Sequence, residues 1–214
     1  MSLCTIVGMG PGIGLSVATR FAREGFDIAM IARTSERLGE YSKIVEETSG
    51  VKTTYFSADV SDPTHLRTAL SYVQGHEPTE VLVYNAAVVQ KTKLSTLSPE
   101  NLMHHLRVNV IGAVTAVQQV LPGMQRTGKG TILFTGGGFA HDPQPDYFAL
   151  GMGKAALLNY GKSLAKAYPQ IHVAVVTIHG KVERGTACDP DLIANKYWNL
   201  HSQPDYWEPE VHVK

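Results

Sequence analysis

Gly8, Gly10, Gly12 and Gly14 fall between the apolar run Leu3–Val7 and a stretch in which Ile13, Val17 and Phe21 repeat at helical spacing. Glycines reach backbone angles closed to other residues, and a helix N-terminus presents unpaired N–H groups. A strand, a glycine turn and a helix in that order therefore form a cradle for a pyrophosphate. The alternative is a tight strand-to-helix turn that holds no ligand. Three histidine positions are further candidates for chemistry. His141, beside Asp142, has the chemistry for proton transfer, although a histidine in a polar loop is more often a solvated bystander. The adjacent His104 and His105 lack the spacing of HExxH-type ligands, and we read them as helix surface with no metal site expected. Cys4 and Cys188 are too few for a disulfide framework, which favours a reducing, cytoplasmic compartment.

These groups must be positioned by elements whose pattern is legible. The 214 residues suit one domain, taken as 1–214. Apolar residues make up 43% and charged residues 18%, the latter below the roughly 25% of an average soluble chain, so disorder is excluded. Nineteen basic and nineteen acidic side chains cancel, so no nucleic-acid partner and no anionic membrane surface is expected. No apolar run approaches the length of a membrane span, and no basic residue precedes Arg20 to start a secretion signal. Short β-branched runs alternate with amphipathic stretches, the pattern of a parallel sheet with crossover helices. The strands are expected at Leu3–Val7, Asp27–Ile31, Lys52–Ser57, Val81–Tyr84, Thr131–Thr135, His172–Ile178 and Glu210–Val213. One long helical region runs from Ser98 through Asn109 to about Met124. Gly136–Gly153 reads as a shaped loop, with Lys154 near the start of the next helix, and Asp189 with Pro190 opens the last helix.

At this point the chain resembles the short-chain dehydrogenase/reductase family over nearly its whole length. The spacing Gly8, Gly12, Gly14 matches the family's GxxxGxG. Asp59 with Val60 resembles its adenine-contacting pair, and Asn85, Ala86 and Ala87 resemble its NNAG motif, with Tyr84 replacing the first Asn. Asn109 and Lys154 stand where the family keeps an active-site Asn and Lys. The resemblance implies an α/β, Rossmann-type doubly wound parallel sheet of about seven strands. It also implies a nicotinamide dinucleotide held by Gly8, Gly10, Gly12, Ile13, Gly14, Asp59, Val60, Asn85, Ala86 and Lys154. The residues just past the second strand are Ala32, Arg33 and Thr34. A carboxylate there would take a ribose 2′-OH, whereas Arg33 suits a 2′-phosphate, so NADP(H) is favoured over NAD(H). Alternatively Arg33, like Arg37, decorates a solvated helix start.

The proton-transfer residues depart from the family pattern. Its Tyr sits four residues before the Lys and its Ser just after the fifth strand; those positions hold Leu150 and Gly137. Three readings follow. In the first, the chain is an oxidoreductase of a small carbonyl or enoyl substrate, with Lys154, Asn109 and Tyr147 as its catalytic residues. Tyr147 lies seven before Lys154, a spacing similar to that of the enoyl-thioester reductases, although it equally suits an aromatic packed in a proline-rich loop. In the second, the chain is an inactive dinucleotide-binding sensor or partner subunit. In the third, His141 and Asp142 supply acid/base chemistry. The short 179–188 segment, with His179 and Gly180 in place of a Pro-Gly pair, implies a small lid. The helices bearing Val110, Val114, Val117 and Leu121 and following Lys154 are the faces through which relatives pair, which implies a homodimer or homotetramer.

Overall fold

A computed structural model describes residues 2–204 and 206–214. Seven strands form one parallel sheet in the order β3-β2-β1-β4-β5-β6-β7. They are β1 Leu3–Val7, β2 Asp27–Ala32, β3 Thr53–Ser57, β4 Thr79–Tyr84, β5 Thr131–Thr135, β6 His172–Ile178 and β7 Glu210–Val213. The helices are α1 Ile13–Arg23, α2 Ser35–Ser49, α3 Pro63–His76, α4 Pro99–Leu106, α5 Gly112–Thr127, α6 Phe148–Ala167 and α7 Pro190–His201. Side chains alternate across the sheet, so one chain supplies two cores. Ile6, Ile28, Met30 and Val83 meet Phe21 of α1, Leu38 of α2 and Ile193 of α7. On the other face Val7, Ile31, Leu82 and Phe134 meet Leu70 of α3, Val117 of α5 and Leu157 of α6.

The strand order reverses between β1 and β4, where Val7 pairs with both Ile31 and Tyr84. Connections leave that point in opposite directions, so a crevice opens beyond the carboxyl ends of these strands. Among the described residues no helix is long and apolar enough to cross a membrane.

Four expectations need correction. The long helical region is interrupted by a π-helical turn at Arg107–Ile111. Its extra residue loosens the backbone ladder, and the buried Tyr84 hydroxyl donates to the Val108 carbonyl at 2.5 Å. Gly112 leaves room for that phenol, since a Cβ there would collide with Tyr84 Oη and come within 2.9 Å of the Val60 carbonyl. Second, α6 starts at Phe148, well before Lys154, because its N-terminus is capped from a distance: Thr92 Oγ1 accepts from Ala149 N at 3.0 Å. Third, His105 is fully buried, inside the α4 turn that packs toward the core, and only His104 is surface. Fourth, Val117 and Leu121 are committed to the chain's own sheet, leaving Val110 and Val114 half-buried on the outer side.

Candidate functional site

The glycine loop after β1 does two jobs with different glycines. Gly8 has φ +92°, and a Cβ there would collide with the Ala86 backbone; Gly14 would place a Cβ 3.2 Å from Met9 Cα. These two close the turn against its neighbours. A Cβ on Gly10 or Gly12 would meet open space, so these two keep the floor of the cleft bare. Gly12 gives α1 no side-chain cap, which leaves the first-turn N–H groups of Ile13 and Gly14 for an anion.

The loop faces a cleft of about 290 Å³ lined by Gly8, Arg33, Asp59, Val60, Asn85 and Ala86. His104 also lines it, a residue that spacing alone assigned to plain surface. The Arg33 side chain is exposed and forms no ion pair among the described residues. Burial raises the Asp59 pKa, but the hydrogen bond from Ser61 N at 2.8 Å, together with the Arg33 and His104 charges, outweighs it and holds Asp59 below the usual carboxylate range.

Asn85 ties this cleft to the next one. Its Nδ2 donates to the Gly8 carbonyl at 2.9 Å, and its Oδ1 accepts from Thr135 Oγ1 at 2.9 Å. Having spent its proton on Asn85, the Thr135 hydroxyl accepts from the buried Tyr197 phenol at 2.6 Å. Burial pushes the Tyr197 pKa up, so the phenol stays protonated and remains the donor. The Thr135 carbonyl in turn accepts from Lys154 Nζ at 2.6 Å.

Lys154 is buried on α6, and desolvation lowers its pKa from 10.5 to about 8. The folded chain therefore binds fewer protons than the unfolded chain between about pH 8 and 10.5, and this group makes stability rise with pH across that window. Gly137 lies against the Lys154 stem, with room for a Cβ at ordinary contact of 3.4 to 3.6 Å. Asn109, in the π-helical turn, accepts from Val88 N at 2.8 Å through Oδ1, while its buried Nδ2 has no protein partner among the described residues. Gly153 allows α6 this close, since a Cβ there would come within 2.9 Å of the Asn109 side chain.

With this arrangement in view, comparison with known proteins is decisive for ancestry. A model of the short chain dehydrogenase family matches residues 3–190. The chain belongs to the short chain dehydrogenase family. It is 33% identical over 126 residues to a 3-dehydrosphinganine reductase of Arabidopsis thaliana, covering 58% of this chain and 37% of that protein. It is 28% identical over 165 residues to a human protein named inactive hydroxysteroid dehydrogenase-like protein 1, covering 76% of this chain and 50% of that one. The chain thus spans half or less of these curated relatives. Among solved structures, L-sorbose reductase from Gluconobacter frateurii, complexed with NADPH and L-sorbose, superposes with a TM-score of 0.92 at 23% identity. The match covers 100% of this chain and 95% of that one, and it shows the shared fold.

Within this member of the family, Leu150 and Lys154 share the buried face of α6. Tyr147 stands just before the helix with non-helical angles, φ −134° and ψ 39°. Thr92 pins this point: its N–H donates to Asp146 O at 2.7 Å, and its carbonyl accepts from Phe148 N at 3.3 Å. The Tyr147 ring stacks on Phe139 with centroids 4.8 Å apart. Both rings line a second cleft of about 400 Å³ with Pro143, Pro145, Phe148 and Met152, apolar over most of its wall. Sequence spacing gave no hint of this cleft, because Phe139, the two prolines and Met152 meet only when α6 folds back on the 138–147 segment.

Thr135 is the joint of this assembly, which yields a direct expectation. Thr135→Val keeps the shape but strips Asn85 and Tyr197 of a shared partner, at a cost of about 1–3 kcal/mol in urea unfolding. Adding Tyr197→Phe to that variant then costs little further, because the stranded donor is removed. An unchanged urea midpoint in the single variant would show that the bridge carries no stability.

Proposed function

We propose that this chain is an NADP(H)-dependent oxidoreductase that reduces a small carbonyl or enoyl substrate. The observation that carries this reading is the buried Lys154 ammonium, set beside the bare Gly137 and linked through Thr135 and Asn85 to the glycine loop. A lysine kept in a desolvated place is costly to the fold, and a partner arriving in the cleft gives it a purpose.

The residues fit a dinucleotide in parts. Gly10, Gly12, Ile13 and Gly14 offer backbone N–H groups to the pyrophosphate, and Gly8, whose own N–H donates to the Ile31 carbonyl at 2.9 Å, shapes the turn beneath it. Asp59, Val60 and Ala86 wall the adenine side, and Arg33 takes the 2′-phosphate. Lys154 donates to the nicotinamide ribose, and Asn109 and Asn85 hold the surrounding backbone in register. When bound, the nicotinamide supplies the hydride. The protein then has to donate a proton, or a hydrogen bond, to the oxygen on which negative charge develops. Leu150 and Gly137 have no polar side-chain atom to do so. Tyr147 has one, at the edge of an apolar cleft suited to the hydrocarbon part of a substrate.

A second reading, an inactive dinucleotide-binding sensor or partner subunit, is favoured by one observation: the Tyr147 ring is stacked on Phe139, as a purely packing aromatic would be. Both readings keep the cofactor and differ in turnover.

Two measurements follow. In calorimetric titrations NADPH binds more tightly than NADH, and Arg33→Ala erodes the difference by about 1.5–3 kcal/mol, the worth of a charge-assisted contact; equal or reversed preference removes Arg33 from the assignment. The second measurement follows nicotinamide absorbance across a panel of carbonyl and enoyl substrates. Turnover is expected, and Tyr147→Phe lowers it by about 10² to 10⁴ with cofactor affinity unchanged. Undiminished activity in that variant removes Tyr147 from the mechanism. Tight NADPH binding with no turnover on any substrate, followed by gain of carbonyl reduction in Gly137→Ser with Leu150→Tyr, selects the second reading.

A further inference from the structure

The topology gathers three histidines and a glutamate at the open edge of the sheet, from segments far apart in the chain. His179 follows the end of β6, and Glu210 and His212 lie two apart on β7, hence on one face of the strand. His141 follows the short turn after β5 and reaches Glu210, with Nε2 2.6 Å from Oε1. His212 Nε2 lies 3.8 Å from the same oxygen. One ligand atom from each of His141, Glu210 and His212 falls within 4.8 Å of the others.

We infer that His141, Glu210 and His212 form a binding site for a divalent transition-metal cation of the zinc type, with His179 and Lys162 as its outer support. At zinc bond lengths of about 2.0–2.1 Å, tetrahedral ligand atoms stand roughly 3.3 Å apart. The spacings of 2.6 and 3.8 Å bracket that value, so small side-chain rotations are enough to admit the ion. Two imidazoles and one carboxylate are a donor set for zinc rather than for calcium or magnesium, which take oxygen ligands.

The surroundings orient these ligands in the manner of a metal's outer shell. Lys162 Nζ holds the far carboxylate oxygen of Glu210 at 2.9 Å, and Thr177 Oγ1 donates to the near one at 2.7 Å. His179 Nε2 is 2.8 Å from His212 Nδ1. A proton carried on His212 Nδ1 and donated to His179 leaves His212 Nε2 with its lone pair toward the site. His141 and His212 are each over one-third exposed, so an ion has a path in and water can complete the coordination. The His179 ring lies against Gly138, where a Cβ would come within 2.8 Å of Nδ1. A bound cation would therefore fasten the segment leading to Tyr147 onto β6 and β7. This site stands whether or not the cleft binds a dinucleotide.

The test uses the untagged, chelator-stripped chain. Zinc(II) is titrated in competition with a chromophoric chelator, and cobalt(II) is added separately to read its visible spectrum. One equivalent of zinc binds, and cobalt gives the intense bands of a four-coordinate site. His141→Ala, in an exposed turn, and His212→Ala both abolish this binding. His179→Ala weakens it by about 10- to 100-fold, and His76→Ala, on the exposed end of α3, leaves it unchanged. Absence of stoichiometric zinc binding in the wild-type chain would overturn the proposal. Binding that persists in His141→Ala and His212→Ala, or that is lost equally in His76→Ala, would overturn it as well.

Discussion

A lysine ammonium shut away from water has to be held by something, and here it is held by the Thr135 carbonyl at 2.6 Å. That bond fixes how the C-terminal end of β5 meets α6. The same residue's hydroxyl reaches Asn85 and Tyr197, and Asn85 reaches the glycine loop. The turn after β1, the ends of β4 and β5, and helices α6 and α7 thus share one chain of hydrogen bonds. Each member of that chain has its partner inside the protein, so displacing one strands the next in a place where an unmet donor costs about 1–3 kcal/mol.

This arrangement separates two halves of the site. The half proposed to hold a dinucleotide has bare glycines, an uncapped helix start and, in Arg33, an exposed arginine with no ion pair among the described residues. The half proposed to move a proton has glycine at 137 and leucine at 150. The Gly137 slot is open while its neighbours are crowded: a Cβ on Gly136 or Gly138 would come within 2.6 or 2.8 Å of Val175 or His179. Tyr147 places a phenol just before α6, fixed by Thr92 at the rim of an apolar cleft.

Much of this was legible in the sequence, and the rest failed for identifiable reasons. Strands such as Leu3–Val7 and Thr131–Thr135 were legible because fully buried parallel strands are continuous apolar runs between turn residues. The glycine loop was legible because its spacing follows from backbone geometry. The start of α6 was hidden because its cap, Thr92, is 57 positions from the residue it serves. The π-helical turn was hidden because its compensation, the Tyr84 hydroxyl on Val108, crosses from strand to helix. His105 lies on the inward side of α4, which adjacency to His104 could not reveal. The group His141, Glu210 and His212 was hidden because only Glu210 and His212 are close in sequence, and His141, 69 positions before Glu210, joins them only where β7 meets the sheet edge.

The most direct test of this account is the titration of the Lys154 side-chain amine, observed by NMR in protein with specifically labelled lysine, free and saturated with NADPH. Burial away from water predicts a midpoint of about 8 in the free protein, and the proposed cofactor site predicts a resonance that moves when NADPH fills the cleft. A midpoint at the ordinary 10.5, with a resonance indifferent to NADPH, would contradict it.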